Sequence, residues 1–247
     1  MRLDCILTAC NENPLYQDFI PIFVRTWKKL YPQVDVRIVY IAESIPERFL
    51  PYAEHLILFK PIPGVSTSFT SQYIRLLYPA VMNYNNGIMI TDIDMLPMNR
   101  TYYTKNIEGL EDDKFISLRG GRGKEIYICY NTALSSTWAS IFEIKTLEDI
   151  IKRLTSVCSS IRYTGTHGGI GWSTDQVQLY NAIMRWKEKS SNFIALSDCK
   201  TGYKRLRRHE YSSKLDESIR SGQYSDHHCP RPYSLNMELN ECVYNAL

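Results

Sequence analysis

Gly87-Ile88-Met89-Ile90-Thr91-Asp92-Ile93-Asp94-Met95-Leu96-Pro97 is the stretch that decides the fold. The turn signal Asn85-Asn86-Gly87 leads into it, and Ile88 to Thr91 are apolar or β-branched, as in a fully buried strand. A strand of this kind belongs to a mostly parallel α/β sheet with both faces covered. Its carboxyl end, where ligands of open α/β sheets collect, carries Asp92 and Asp94. Residues two apart on an extended chain point to the same side, so both carboxylates can face one hard cation. Left bare, two acids this close repel and one stays protonated unless a cation holds both ionised. A divalent metal is the simplest such cation; a strand that merely ends in solvated acids is the alternative.

Working outward, residues 3–9 read as a first buried strand that ends in the loop Cys10-Asn11-Glu12-Asn13-Pro14. Apolar residues at Phe19, Ile20, Phe23, Val24, Trp27 and Leu30 have helical spacing within residues 16–31, and Pro32 closes the segment. Residues 34–42 and 55–59 read as further strands, with a short helix over 47–52 between them. Repeated strand-helix-strand units imply right-handed parallel connections. A helix over 70–84 then precedes the central strand and places Gln72, Tyr73 and Arg75 near its start.

Beyond residue 115 the pattern shortens, with strands at 115–118 and 125–131. The loop between them, Arg119-Gly120-Gly121-Arg122-Gly123-Lys124, lacks the spacing of a phosphate-wrapping P-loop. Thr146 with Asp149 resembles a capping box opening a helix over 146–163. The loop 164–172 holds four glycines, Gly165, Gly168, Gly169 and Gly171, and either bends to meet a ligand or simply turns. A last helix over 173–187 and a late strand over 193–197 complete one α/β domain, residues 1–200. Residues 201–247 have weak periodicity and are expected as an irregular tail packed over the domain and its active site.

The 247 residues are 44% hydrophobic and 22% charged, an ordinary globular composition long enough for a large core. A net charge of +3 is too mild to suggest nucleic acid. The run Lys204-Arg205-Leu206-Arg207-Arg208-His209 is either a solvated face or a contact for an anionic acceptor, a diphosphate or membrane lipid. Seven cysteines with no C-x-x-C pair fit reduced thiols. The first residues do not read as a signal peptide and no apolar run reaches spanning length, so a cytoplasmic enzyme of bacterial or viral type is expected. The sequence does not fix an oligomeric state.

Taken together, Tyr73-Ile74-Arg75-Leu76 ahead of the strand and Asp92-Ile93-Asp94 after it resemble the GT-A fold glycosyltransferases, nearest to the family 8 type. The resemblance extends to Cys129-Tyr130-Asn131-Thr132 and Thr174-Asp175-Gln176 and takes in about residues 1–200. It implies a single Rossmann-like GT-A domain that moves a sugar from a nucleotide diphosphate, a UDP-sugar, to an acceptor hydroxyl of a glycan, glycolipid or protein. The metal it implies is Mn²⁺, with Mg²⁺ as the alternative. Asp94 would bind the ion directly, Asp92 the ion or the ribose, and Arg75 the diphosphate or donor sugar.

By the same resemblance Thr8, Ala9 and Asn11 would hold base and ribose, with Tyr16 stacked on the base. Asn131 and Gln176 would meet the donor sugar. Asp175 would be the catalytic carboxylate, either deprotonating the acceptor or positioning the donor. A late histidine would complete the metal site, and His227 and His228 are the candidates, since imidazole beside carboxylates favours Mn²⁺. The family's His-x-x-Gly-x-x-Lys-Pro pattern is absent, and only Arg231-Pro232 echoes it.

Competing readings stand beside these. Ser173-x-x-Gln176 is itself a helix capping box, and Arg75 also suits a structural ion pair. His227, His228 and Cys229 could join Cys199 or His209 around zinc. A sugar-nucleotide binding module without catalysis is the main functional alternative. A haloacid-dehalogenase-like phosphatase fits less well, because its Asp-x-Asp belongs near the start of the first unit.

Overall fold

In the computed structural model, which describes residues 1–247, β1 (Leu3–Asn11) is an interior strand of the main sheet. Its Cys5, Ile6 and Leu7 have no exposed surface. β2 (Asp35–Ile41) lies parallel on one side of it, with Ile6 opposite Val36, and β3 (Leu56–Phe59) continues parallel beyond β2. β4 (Gly87–Ile90) lies parallel on the other side, with Leu7 opposite Ile90. All four residues of β4 are buried, because helices cover both faces of the sheet. Gly87 is required where β4 enters: a Cβ there would lie 2.9 Å from Met1 Sδ and 3.0 Å from the Arg2 carbonyl.

After β5 (Met95–Pro97) come β6 (Phe115–Ser117), a small hairpin of β7 (Gly121–Arg122) and β8 (Glu125–Ile126), then β9 (Asn131–Ala133) and β10 (Phe193–Ala195). The main sheet is ordered β10-β6-β9-β4-β1-β2-β3 and runs antiparallel only where β9 meets β4 and β6. The expected α/β architecture with a mostly parallel sheet is therefore present.

Local departures from the expected elements have local causes. The strand over 125–131 is broken: Tyr130 adopts φ 78°, and the Asn131 amide donates to the carbonyls of Tyr127 (2.7 Å) and Ile128 (2.8 Å). A side chain that ties a turn in this way competes with the ladder. The segment 16–31 divides into Pro14–Gln17 and Ile20–Leu30, and Pro21 sits in the first turn of the second helix, where its missing N–H costs nothing. Helix Thr67–Leu77 passes into a tighter turn, Tyr78–Val81, at Pro79. The Thr146–Asp149 capping box opens helix Leu147–Ser160 as read.

Residues 201–247 contribute β11 (Arg205–Leu206), β12 (Asp226–His228) and helices Asp216–Arg220 and Met237–Ala246. β12 pairs with β11 and, antiparallel, with β5, placing His228 opposite Met95. Leu206, Ile219, Tyr224 and Val243 form a second small core with Met98. Asp226 pins the arrangement from beneath. Wholly enclosed, it accepts from Tyr130 Oη (2.6 Å), Tyr203 Oη (2.9 Å) and Arg205 Nη2 (2.6 Å). Because β5 follows Asp94 directly, this pairing carries the late histidine segment to the sheet rim. No helix is long and apolar enough to cross a membrane.

Candidate active site

A cleft of about 240 Å³ opens at the carboxyl ends of β1 and β4, where the topology of an α/β sheet leaves room for a ligand. Ala9 and Asn11 form its floor, and Asn11 Nδ2 is fixed by Thr67 Oγ1 at 3.1 Å. Two charged clusters line it.

The first cluster centres on Arg75. Helix Thr67–Leu77 buries this side chain, leaving its head to donate to the Thr91 carbonyl (3.1 Å), to Asp92 Oδ1 and to Asp175 Oδ2 (3.1 Å). The Cys129 thiol donates to the other oxygen of Asp92 at 2.9 Å. Asp175 stands in the first turn of helix Thr174–Lys187, and Ser173 makes no side-chain cap there, so the competing capping-box role is not realised. Burial pushes the Asp175 carboxyl up to about 6; Arg75 pulls it the other way and the Asp92 charge adds to the rise. Arg75 is thus committed to carboxylates and is not free for a diphosphate.

The second cluster centres on Asp94. Arg231 Nε lies 3.3 Å from its Oδ2, His228 Nε2 3.4 Å and Arg208 Nη2 3.5 Å. Burial alone would raise the Asp94 carboxyl, but its neighbours His228, Arg231 and Arg208 hold it below the usual carboxylate range. The Cys229 amide donates to the Asp94 carbonyl at 2.9 Å and locks the late segment to the motif. Arg231 also lies 5.0 Å over the Tyr16 ring and donates to its hydroxyl, so Tyr16 borders the cleft with one face already used.

Asp92, Asp94, Asp175, Gln176, Arg75, Tyr16, Ala9, Asn11 and His228 thus share one cleft. Three other candidates lie elsewhere. Thr8 is enclosed within β1 opposite Ile38, with Oγ1 unpartnered. Asn131 spends its amide on the turn beneath the site. His227 points away, since neighbours on a strand face opposite sides; its Nδ1 lies 3.2 Å from the Leu206 carbonyl, and burial lowers it to about 4. The proposed zinc grouping does not assemble either, because no three His, Cys, Asp or Glu side chains converge anywhere.

That finding also bears on the expected Mn²⁺. Asp94 Oδ2 and His228 Nε2 are close enough to be neighbouring ligands, but Asp92 is held by Arg75 and Cys129, and Arg208 Nη2 lies 2.6 Å from His228 Nε2. As these side chains stand, the site fits a guanidinium rather than a three-ligand divalent ion.

Sequence reasoning did not assign site roles to Arg231, Gln72, Tyr163, His167 or Trp172, and it reached Arg208 only as one member of a basic run with a diphosphate among its possible contacts; all six border the cleft. The glycine-rich loop bends to the ligand side: His167 and Trp172 pack at 4.8 Å between ring centres, and Tyr163 Oη donates to Gln72 Oε1 at 2.7 Å. Its four glycines were the available signal.

This sheet, with its reversed strand β9 and its cleft at the carboxyl rim, is a fold shared with solved glycosyltransferases. The chain is similar to the galactosyltransferase LgtC, solved in complex with donor and acceptor sugar analogs, with 11% identity and a TM-score of 0.52 over 98% of this chain and 96% of that one. It is also similar to the glycosyltransferase GlyE of Streptococcus pneumoniae TIGR4, with 13% identity and a TM-score of 0.54 over 100% of this chain and 60% of GlyE. No family model and no curated protein matches the sequence.

Proposed function

We propose that the protein is a glycosyltransferase of the family 8 type that moves a sugar from a nucleoside diphosphate, a UDP-sugar, to an acceptor hydroxyl of a glycan, glycolipid or protein. The observation that carries this reading is the pair of clusters in one cleft, an arginine-rich set around Asp94 and a buried carboxylate, Asp175, within reach of the same space.

In such a transfer the bond from the anomeric carbon to the diphosphate oxygen breaks while the acceptor oxygen bonds to that carbon. Negative charge grows on the leaving diphosphate, and positive charge on the sugar ring. Arg231 and Arg208 supply the cations for the first. Their planar forks suit phosphate oxygens, and Asp94 holds both heads at the rim. Asp175 answers the second. The Gln176 amide (2.9 Å) holds one of its oxygens and Arg75 the other, leaving lone pairs free for a sugar hydroxyl. Arg75 acts by positioning Asp92 and Asp175. Ala9, Asn11 and Tyr16 line the end of the cleft suited to the base and ribose.

Inversion would deliver the acceptor proton to Asp175, and retention would deliver it to the leaving phosphate. A thermal-shift panel of nucleotide-sugars, with and without Mn²⁺, tests the reading, because a ligand of the folded state raises its melting temperature. A UDP-sugar should give the largest rise and be cleaved on incubation. Binding without cleavage would identify a binding module, and no rise with any nucleotide-sugar would remove the assignment.

A further inference from the structure

Arg208 follows β11 by two residues, and the β11–β12 register, Leu206 opposite His227, brings this segment alongside His228. Its Nη2 lies 2.6 Å from His228 Nε2 and 3.5 Å from Asp94 Oδ2, and those two atoms are themselves 3.4 Å apart. A guanidinium can only donate, so His228 Nε2 must accept and its ring hydrogen sits on Nδ1. The lone pair engaged by Arg208 is the one an ion bound to Nε2 would require.

Arg208 also has room to act there. Its Nε is buried with no hydrogen-bond partner, so the side chain still has a donor to offer. Arg208 and His228 also form the wall shared with a neighbouring hollow lined by Arg119, Asp198, Tyr203, Arg205 and Arg207, where Asp198 is the one acid. With 30% of its side-chain surface exposed, Arg208 is not locked in the core.

We infer that the Arg208 guanidinium is the resident cation of the Asp94–His228 site. It provides the positive charge for a nucleoside diphosphate without a metal, and a divalent ion binds there only when Arg208 swings out toward the neighbouring hollow. The assignment of the diphosphate rests on the function proposed above. The competition between Arg208 and an ion does not.

The experiment uses the full chain as wild type, Arg208→Gln and Arg208→Lys, with thermal unfolding to confirm that each is folded. Mn²⁺ binding is followed from the free-ion electron spin resonance signal, and UDP binding by calorimetry in EDTA and in Mn²⁺. Arg208→Gln should take up Mn²⁺ at least ~10-fold more tightly than wild type, since it removes both the charge and the blocking donor. Wild type should bind UDP within ~3-fold equally in EDTA and Mn²⁺, whereas Arg208→Gln should lose ~10-fold or more in EDTA and recover in Mn²⁺. Arg208→Lys, a point charge without the fork, should fall between them.

Equal Mn²⁺ affinity in wild type and Arg208→Gln would overturn the inference. So would wild-type UDP binding that depends on Mn²⁺, a result that decides the matter even if the variants do not fold. If Mn²⁺ affinities differ as expected but no protein binds UDP, the resident-cation assignment stands and the nucleotide-sugar function fails.

Discussion

The two acids of Asp92-Ile93-Asp94 sit two residues apart and live in different environments. Asp92 belongs to a cluster made within the parallel part of the sheet and its helices, with Arg75 and the Cys129 thiol as partners. Asp94 belongs to a cluster completed by the last strand, with His228, Arg208 and Arg231 around one oxygen. The first cluster shares one cation between two carboxylates, and of the two Asp92 is the one fully engaged by its neighbours. The second gathers two arginines and a histidine on a single carboxylate and leaves positive charge facing the cleft. A symmetric motif in the sequence thus becomes one structural half and one half open to an anion.

Variants that treat the halves alike should not behave alike. Asp94→Ala should lower transfer by more than ~10³-fold, because it releases the cations aimed at the leaving group; a rate assay with the donor found in the thermal panel measures it. Arg75→Met should act mainly on stability, at about 3 kcal/mol by urea unfolding, since it leaves the buried Asp175 without its cation and the half-buried Asp92 without its own. A small stability loss in Arg75→Met would mean that the first cluster is open too.

Asp175→Asn should reduce kcat by ~10²-fold or more while donor binding stays within ~3-fold. Near-normal turnover would take Asp175 off the catalytic list. Its carboxyl is raised to about 6, so it is protonated below that pH in the folded protein. The transfer rate should therefore climb ~10-fold per pH unit up to about 6 and then level, and Asp175→Asn should lack the slope. The same sign applies to stability. A raised acid favours folding while it is protonated, so its contribution falls as pH rises from about 4 to 6, and the Asn variant should lose that dependence. Smallest of all, His227→Gln should leave transfer within ~2-fold, in contrast to His228→Ala, because only His228 faces the cleft.

Much of the fold could be read from buried runs such as residues 3–9 and 88–91, whose unbroken apolar character leaves few arrangements other than a covered parallel sheet. The parts of the site that lie at strand and helix ends of that sheet were also readable: Asp92, Asp94, Arg75, Asp175 and Asn11. What escaped depends on short-range parity or long-range register. Thr8 and His227 sit one residue from cleft-facing neighbours, and a one-residue change of face cannot be assigned before the strand partners are known. Asn131 has the right chemistry for a sugar hydroxyl but spends it on Tyr127 and Ile128. Arg208 lay in a charge run that reads equally as a solvated face or as a contact for an anion. Only the pairing of β11 with β12 brings it to Asp94, across more than a hundred residues of chain.

Under the function proposed above, the open half of the site receives a diphosphate, and a crystal structure of the protein with UDP would reveal it. Diphosphate oxygens are expected within hydrogen-bond distance of Arg231 and Arg208, with the uridine running toward Ala9, Asn11 and Tyr16. Nucleotide bound elsewhere, or a vacant cleft with Asp92 and Asp94 turned to solvent at saturating UDP, would contradict it.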